Sequence, residues 1–209
     1  TREHHLDYVS AQLGEVIETG PDAKALAEGD TVFFWSGFEP VSVIAEDRCY
    51  RLEEGISWKS ALLLDPAEYA LGAVRDGRVG VGDNVAVFGL GAIGLVTVQI
   101  ARLAGASKVV AVDPLANRRD AARALGADDV IVPDGSDVGR VLREMTDGRG
   151  PDVAIDFSGS PHALQAAIRG VCYRGTIVCG AYPPPHTTGL DFGGEAHRNR
   201  PTIVFSRAC

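Results

Sequence analysis

Residues 85–105, "VAVFGLGAIGLVTVQIARLAG", join a β-branched apolar run to a helix-like run through Gly89, Gly91 and Gly94. Glycine weakens both kinds of element, so this seam needs backbone without side chains. A second β-like run, "KVVAVD" (108–113), ends in Asp113, 19 residues past Gly94. A Gly-x-Gly-x-x-Gly turn between a strand and a helix, followed by an acid at that distance, is the pattern of a dinucleotide site. The first glycine permits the tight turn, the second lets the backbone approach a pyrophosphate, and the third lets the helix pack on the strand. Free N–H groups and the positive dipole end of the helix then face the phosphates.

The expected cofactor-binding residues of this turn are Gly89, Leu90, Gly91, Ala92, Ile93 and Gly94. Asp113 is placed to accept hydrogen bonds from the adenosine ribose and to repel a 2′-phosphate, so NAD is expected over NADP. A bland role for Asp113 is to cap the turn before Pro114. Arg118 and Arg119 could hold a 2′-phosphate, lie along the ribose of NAD, or be ordinary helix-surface charges.

Outward from this seam, apolar runs recur at 84–89, 108–113, 129–133, 152–157, 175–180 and 202–206. The first five are short and apolar, as strands covered on both faces should be. Helical patterns fall between most of them. Residues 137–146 carry Val138, Val141, Leu142 and Met145 as one apolar stripe. Residues 160–170 begin with Ser160 as N-cap and Pro161 at the first helical position, and 116–126 end at a glycine. The expected fold is α/β: a doubly wound parallel Rossmann sheet in strand order 3-2-1-4-5-6, with the cofactor at its switch point.

Before residue 80 the composition differs. Strands are expected at 14–20, 30–35 and 40–45, then a helical stretch over 57–77 broken at Pro66, with Leu62, Leu63, Tyr69, Ala70 and Val74 on its apolar face. The division read from sequence is a partial β-rich portion with linking helix, 1–79, and a dinucleotide-binding domain, 80–209. The stretch 180–194, with three prolines, reads as a loop.

The chain has 209 residues and a formal net charge of −8. That balance repels phosphate backbones, so no nucleic-acid partner is expected. The uncharged run 84–101 is interrupted by glycines and Gln99, so no membrane span is expected. Cys49, Cys172, Cys179 and Cys209 form no CxxC pair. Reduced, buried cysteines and a cytoplasmic location are expected, and the polar start Thr1–Tyr8 carries no secretory pattern.

"GDNVAVFGLGAIGLVTVQIARLAGASKVVAVD", "ALGADDVI", "GPDVAIDFSGS" and "GTIVCGAY" together resemble the medium-chain dehydrogenase/reductase family, in its alcohol- and polyol-dehydrogenase branch. "GEVIETGPDAKALAEGDTVFFW" is similar to that family's GroES-like catalytic domain, here reduced. The resemblance implies a nicotinamide-linked oxidoreductase acting on a small alcohol or the corresponding carbonyl. It also implies cofactor contacts at Ser158, Gly159, Gly180, Ala181 and Phe205.

Where the zinc-dependent branch carries Gly-His-Glu, this sequence has Val9, Ser10 and Ala11. Serine is a poor zinc ligand, and the branch's cysteine ligand lies upstream of Thr1. Asp65 matches the third ligand position, and the lobe for structural zinc is absent. This pattern resembles the zinc-lacking subgroup related to bacteriochlorophyllide dehydrogenases, so no metal site is expected; His4 and His5, at the terminus, are expected to be solvated. The family also continues past the sixth strand, whereas this sequence stops at Cys209, which fits a fragment or a reduced catalytic half.

Without zinc, a side chain or water must take the hydroxyl proton. By resemblance, Asp65 and Tyr69 lie on the segment facing the nicotinamide, Asp65 as acceptor and Tyr69 as relay. Trp35 and Phe38 could wall a pocket, and His186 and His197 its mouth or an interface. A non-catalytic NAD-binding module and a Rossmann-like methyltransferase are the competing readings. The last apolar run, "TIVFS", would leave an exposed sheet edge, so a homodimer joined edge-to-edge is expected.

Overall fold

A computed structural model describes residues 10–181 and 189–207. The chain divides into two compact units, Thr1–Asp65 and Pro66–Cys209.

In the first unit, β1 (Ser10–Glu15), β2 (Thr31–Ser36) and β3 (Tyr50–Arg51) form an antiparallel sheet in that order. Strand β2 is built from β-branched and aromatic residues, which suit a pleated surface. Its Val32 and Phe33 are buried, and Trp35 stands edge-on between Phe33 and Tyr50. The expected strand at 14–20 lies earlier, ending at Glu15; beyond it only Val16 still bonds to the Gly29–Asp30 turn. The expected strand at 40–45 does not form. Val41 and Val43 point to solvent, and a β-branched run with no neighbour to pair with has nothing to hold it extended. Instead, the Glu46 carboxylate accepts the backbone N–H groups of Lys24, Ala25 and Leu26 at 2.8–3.0 Å and ties that loop down. Helix α1 (Trp58–Leu62) is capped by Ser57, whose hydroxyl accepts from Ser60 N.

Helix α2 (Leu64–Asp76) follows at once. The helical stretch therefore breaks at Leu63, not Pro66. Proline falls in the first turn of α2, where its missing N–H is not needed. Ala70 and Val74 are buried as expected, but Leu63 is about half exposed because it sits in the break.

The second unit carries six parallel strands: β4 (Asn84–Phe88), β5 (Lys108–Val112), β6 (Asp129–Ile131), β7 (Val153–Asp156), β8 (Thr176–Cys179) and β9 (Thr202–Phe205). Their spatial order is β6-β5-β4-β7-β8-β9, the expected doubly wound order. Alternate residues of each strand enter two cores. On one face Val85, Val87, Val109 and Ile155 pack with Ala73 and Val74 of α2, Val98 and Ala101 of α3 (Ala92–Leu103) and Ala122 of α4 (Ala116–Ala124). On the other, Ala86, Phe88, Val110 and Ile177 pack with Leu142 of α5 (Val138–Glu144) and Ile168 of α6 (Pro161–Gly170). The composition break near residue 80 thus marks the first parallel strand, while the compact unit starts earlier because α2 contributes to its core.

Ser160 stands at the N-cap position of α6 but makes no side-chain cap bond. The stretch read as a loop contains a π-helical turn, Phe192–Ala196, running into α7 (His197–Asn199). Among the described residues, no helix is long and apolar enough to cross a membrane, and Cys172 and Cys179 are buried free thiols while Cys49 is partly exposed. His4, His5, Val9, His186 and Cys209 lie outside the described residues.

Candidate functional site

At the carboxyl end of β4 the chain turns on Gly89 (φ +82°) and enters α3. Gly89 lies flat on the loop after β7: a Cβ here would come within 2.6 Å of Ser158 N and 2.8 Å of the Phe157 carbonyl carbon. Gly94 does the same for the turn itself, since its Cβ would overlap the Gly89 carbonyl. Gly91 is different. It is the N-cap of α3, with no side-chain cap bond, and a Cβ there would meet nothing within 4 Å. No acidic residue stands in the first turn of α3. Among the described residues no side-chain cap answers the first-turn N–H groups, and the Cβ position of Gly91 opens on empty space, which is the arrangement an anion needs.

Asp113, one residue past β5, is 2% exposed. Its Oδ2 accepts Leu90 N at 2.8 Å and its Oδ1 accepts Leu115 N at 2.8 Å. It thus ties the glycine turn to the second strand and also makes the local turn before the next helix. The half-exposed Arg118 guanidinium lies 3.5 Å from Asp113 Oδ2, and Arg119 donates to the Asp113 carbonyl at 2.7 Å. Each carboxylate oxygen has a second lone pair beyond these backbone partners.

Asp156, at the end of β7, repeats this device and escaped the sequence reading. It is 5% exposed, and its Oδ1 accepts Ser158 N at 2.8 Å and Ser158 Oγ at 2.6 Å, so it shapes the Ser158–Gly159 turn. Burial pushes its carboxyl above the ordinary aspartate range, against the pull of the Ser158 donors. The signal was present: "VAID" (153–156) ends in an acid as "VVAVD" (109–113) does. Next to it on β8, burial and then the Asp156 charge push the Cys179 thiol up to about 11.

The remaining expected cofactor contacts gather along the same edge. Gly180 and Ala181 follow β8 and donate their N–H groups to the Asp156 carbonyl. Phe205 ends β9 opposite Cys179 and is 72% exposed. The structure thus brings the glycine turn, Asp113, Arg118, Ser158, Gly159, Gly180, Ala181 and Phe205 to the carboxyl ends of β4, β5, β7, β8 and β9, where ligands bind in open α/β sheets. A cavity of about 340 Å³ on the α6 side of this edge is lined by Asp156, Ser160, Leu164, Phe192 and Phe205 among others. A larger hollow, about 570 Å³ between α2 and α3, holds none of the expected site residues.

Asp65 and Tyr69 stand on successive turns of α2, and both are partly buried. Among the described residues no three His, Cys, Asp or Glu side chains converge, and the Ser10 hydroxyl accepts from Gln12 Nε2 at 2.8 Å.

A family model described as zinc-binding dehydrogenase matches residues 92–207. D-Guloside 3-dehydrogenase of Escherichia coli (strain K12) is 46% identical over 200 residues, 94% of this chain and 57% of its own length. The crystal structure of 2R,3R-butanediol dehydrogenase from Bacillus subtilis has a TM-score of 0.76 at 26% identity, over 94% of this chain and 63% of its own. A Sinorhizobium meliloti 1021 structure bound to NADP shares the fold, with a TM-score of 0.79 at 21% identity over 93% of this chain and 66% of its own. This chain thus spans little more than half the length of the guloside dehydrogenase. With the six-stranded sheet, the glycine turn and these matches together, the chain belongs to the zinc-binding dehydrogenases of the medium-chain dehydrogenase/reductase family.

Proposed function

We propose that this chain is the dinucleotide-binding part of an NAD(H)-linked oxidoreductase that interconverts an alcohol of a small polyol or sugar derivative and its carbonyl. The observation that carries this reading is the uncapped N-terminus of α3, opened by Gly91 and braced by buried Asp113. The N–H groups of Ala92, Ile93 and Gly94 hold the pyrophosphate. Asp113 Oδ1, which accepts Leu115 N, takes a ribose hydroxyl, with Arg118 alongside at Oδ2, and the carboxylate's charge disfavours a 2′-phosphate. Ser158, Gly159, Gly180 and Ala181 offer backbone contacts, and Phe205 gives the nicotinamide end an apolar wall. A bound nicotinamide supplies the hydride acceptor or donor.

The substrate class follows the relatives, whose names specify a guloside and a butanediol. Asp65 and Tyr69 are proposed to accept and relay the hydroxyl proton. Zinc is given no part, because by resemblance Ser10 stands where the zinc-dependent branch carries histidine, and serine is a poor zinc ligand. Membership of a dehydrogenase family argues against a methyltransferase. The reading includes a cytoplasmic location, suggested by unpaired buried Cys172 and Cys179, and a homodimer joined along β9, whose outer edge has no partner among the described strands.

The test is a titration with NADH and NADPH by cofactor fluorescence, alongside an assay of NADH formation on polyols and glycosides. NADH binding at least about tenfold tighter than NADPH supports the reading. Equal or tighter NADPH binding would assign the ribose end to Arg118 instead. NADH binding without turnover on any alcohol would leave a binding module, and binding of S-adenosylmethionine in place of NADH would overturn the whole assignment.

A further inference from the structure

Among the described strands β9 pairs with β8 on one side and lies at the sheet's edge, and its four residues run from the foot of the sheet to Phe205 at the cofactor edge. Its foot is fastened with unusual care. Asn199 Nδ2 donates to the carbonyls of Ile168 at 2.9 Å and Arg169 at 3.3 Å, two of the carbonyls left without helical partners at the end of α6. Arg143 of α5 donates to the carbonyls of Arg169 at 3.1 Å and Val171 at 2.7 Å, and to Asn199 Oδ1 at 3.1 Å. The Asn199 carbonyl in turn accepts Arg174 N at 2.7 Å. A single amide side chain therefore joins three segments: the end of α6, the last turn of α5 and the bend into β9.

Two non-glycine residues at this joint, Arg174 (φ 62°) and Arg200 (φ 51°), occupy the left-handed region. Such conformations cost energy and persist where the surroundings over-determine them. Above the joint the same segment is strapped to α6 twice more. Arg169 pairs with Glu195 at 2.7 Å while also reaching Asp137, and Asp191 N donates to Gln165 Oε1 at 2.7 Å. None of these residues lines the cavity at the cofactor edge. What they share is the placement of the segment that ends in Phe205.

We infer that Asn199 and Arg143 are positioning residues for the nicotinamide end of the site, acting through β9 on Phe205. This rests on the cofactor reading above. A strand advances about 3.3 Å per residue, so Phe205, three residues past Thr202, lies about 10 Å from the joint, and the joint sets where β9 enters its register on β8. The adenosine end lies at the carboxyl ends of β4 and β5, at the glycine turn and Asp113, whereas the link from β5 to the end of α5 is made at the opposite end of the strand, where Lys108 Nζ donates to the Met145 carbonyl at 2.8 Å.

The experiment compares NADH with ADP-ribose, which lacks the nicotinamide, on Asn199→Ala, with Val109→Ala as a buried-core control in the core on the other face of the sheet. Asn199→Ala raises the NADH dissociation constant about fivefold, leaves ADP-ribose within about twofold, and speeds amide exchange at Ile203–Phe205. Val109→Ala lowers the melting temperature without moving the NADH to ADP-ribose ratio. Should Asn199→Ala fail to fold, Arg143→Lys, which keeps the charge but loses the fork of donors, is read the same way. An unchanged ratio in the folded variant overturns the inference. If the unsubstituted chain binds ADP-ribose and NADH equally, the nicotinamide end is not engaged, so this inference falls while the dinucleotide site stands. If it binds neither, both fall.

Discussion

Gly91→Ala separates binding from stability more cleanly than any other change in this chain. Gly91 has φ −72° and ψ −167°, a conformation open to any residue, and a Cβ there meets nothing within 4 Å. The substitution replaces a tolerated N-cap residue with a poorer one, worth a few tenths to about 1 kcal/mol. Folding stability should therefore fall by no more than about 1 kcal/mol. The methyl enters open space at the start of α3, on the side where the pyrophosphate is proposed to lie. Forcing a methyl group between a phosphate and its donors costs about 1.5–3 kcal/mol, from overpacking and lengthened charge-assisted bonds. That is about a tenfold to hundredfold loss of affinity. The assay is NADH fluorescence titration paired with urea unfolding. A variant that binds NADH as tightly as its parent would refute the reasoning, because a phosphate would then not approach this backbone. A variant that loses several kcal/mol of stability would refute it differently, by showing that the space is not free.

Gly94→Ala should do the opposite: alanine gains about 1 kcal/mol of helix propensity but drives its methyl into the Gly89 carbonyl and lies 2.9 Å from that carbonyl carbon, so a net loss of about 1–2 kcal/mol is expected in urea unfolding. Three amides hold the Glu46 carboxyl below its ordinary range, so the tie on Lys24–Leu26 is complete above the ordinary glutamate value and is lost as pH falls through the lowered one; amide exchange of those residues, corrected for intrinsic rates, should rise only there, and Glu46→Gln should remove most of the pH dependence. Cys179, pushed up to about 11, carries roughly one thiolate in a thousand at pH 8, so iodoacetamide should label it only after denaturation, with mass spectrometry as the readout.

The parallel sheet was legible because its strands are buried on both faces: runs such as Val85–Phe88 and Val109–Val112 admit almost no polar residue. The glycine turn was legible because three glycines at a strand–helix seam have few structural excuses. Less legible was what each glycine does, since Gly89 is required by Phe157 and Ser158, 68 and 69 residues away in sequence. Asp113 was found as a ligand candidate, yet its two backbone partners depend on the turn being in place. The first unit was read poorly for a related reason. Val41, Val43 and Ile44 have strand propensity, but propensity cannot supply a neighbouring strand. Arg143 and Asn199 gave no sequence signal, because capping a helix from another helix has no local pattern.

The order of the sheet carries a consequence for how the chain is made. Strands β4, β5 and β6 neighbour one another in sequence and in space, so the first half of the sheet closes through short-range crossovers. The other edge of β4 is completed only by β7, whose Val153 pairs with Val85. A ribosome adding about 5–20 residues per second takes several seconds to cover that interval. During it, the edge of β4 that β7 will cover keeps its backbone N–H and C=O groups unpaired along an otherwise apolar strand. Newly synthesised chains stalled before residue 153 should therefore be chaperone clients and aggregation-prone, and the finished protein should be neither on this account.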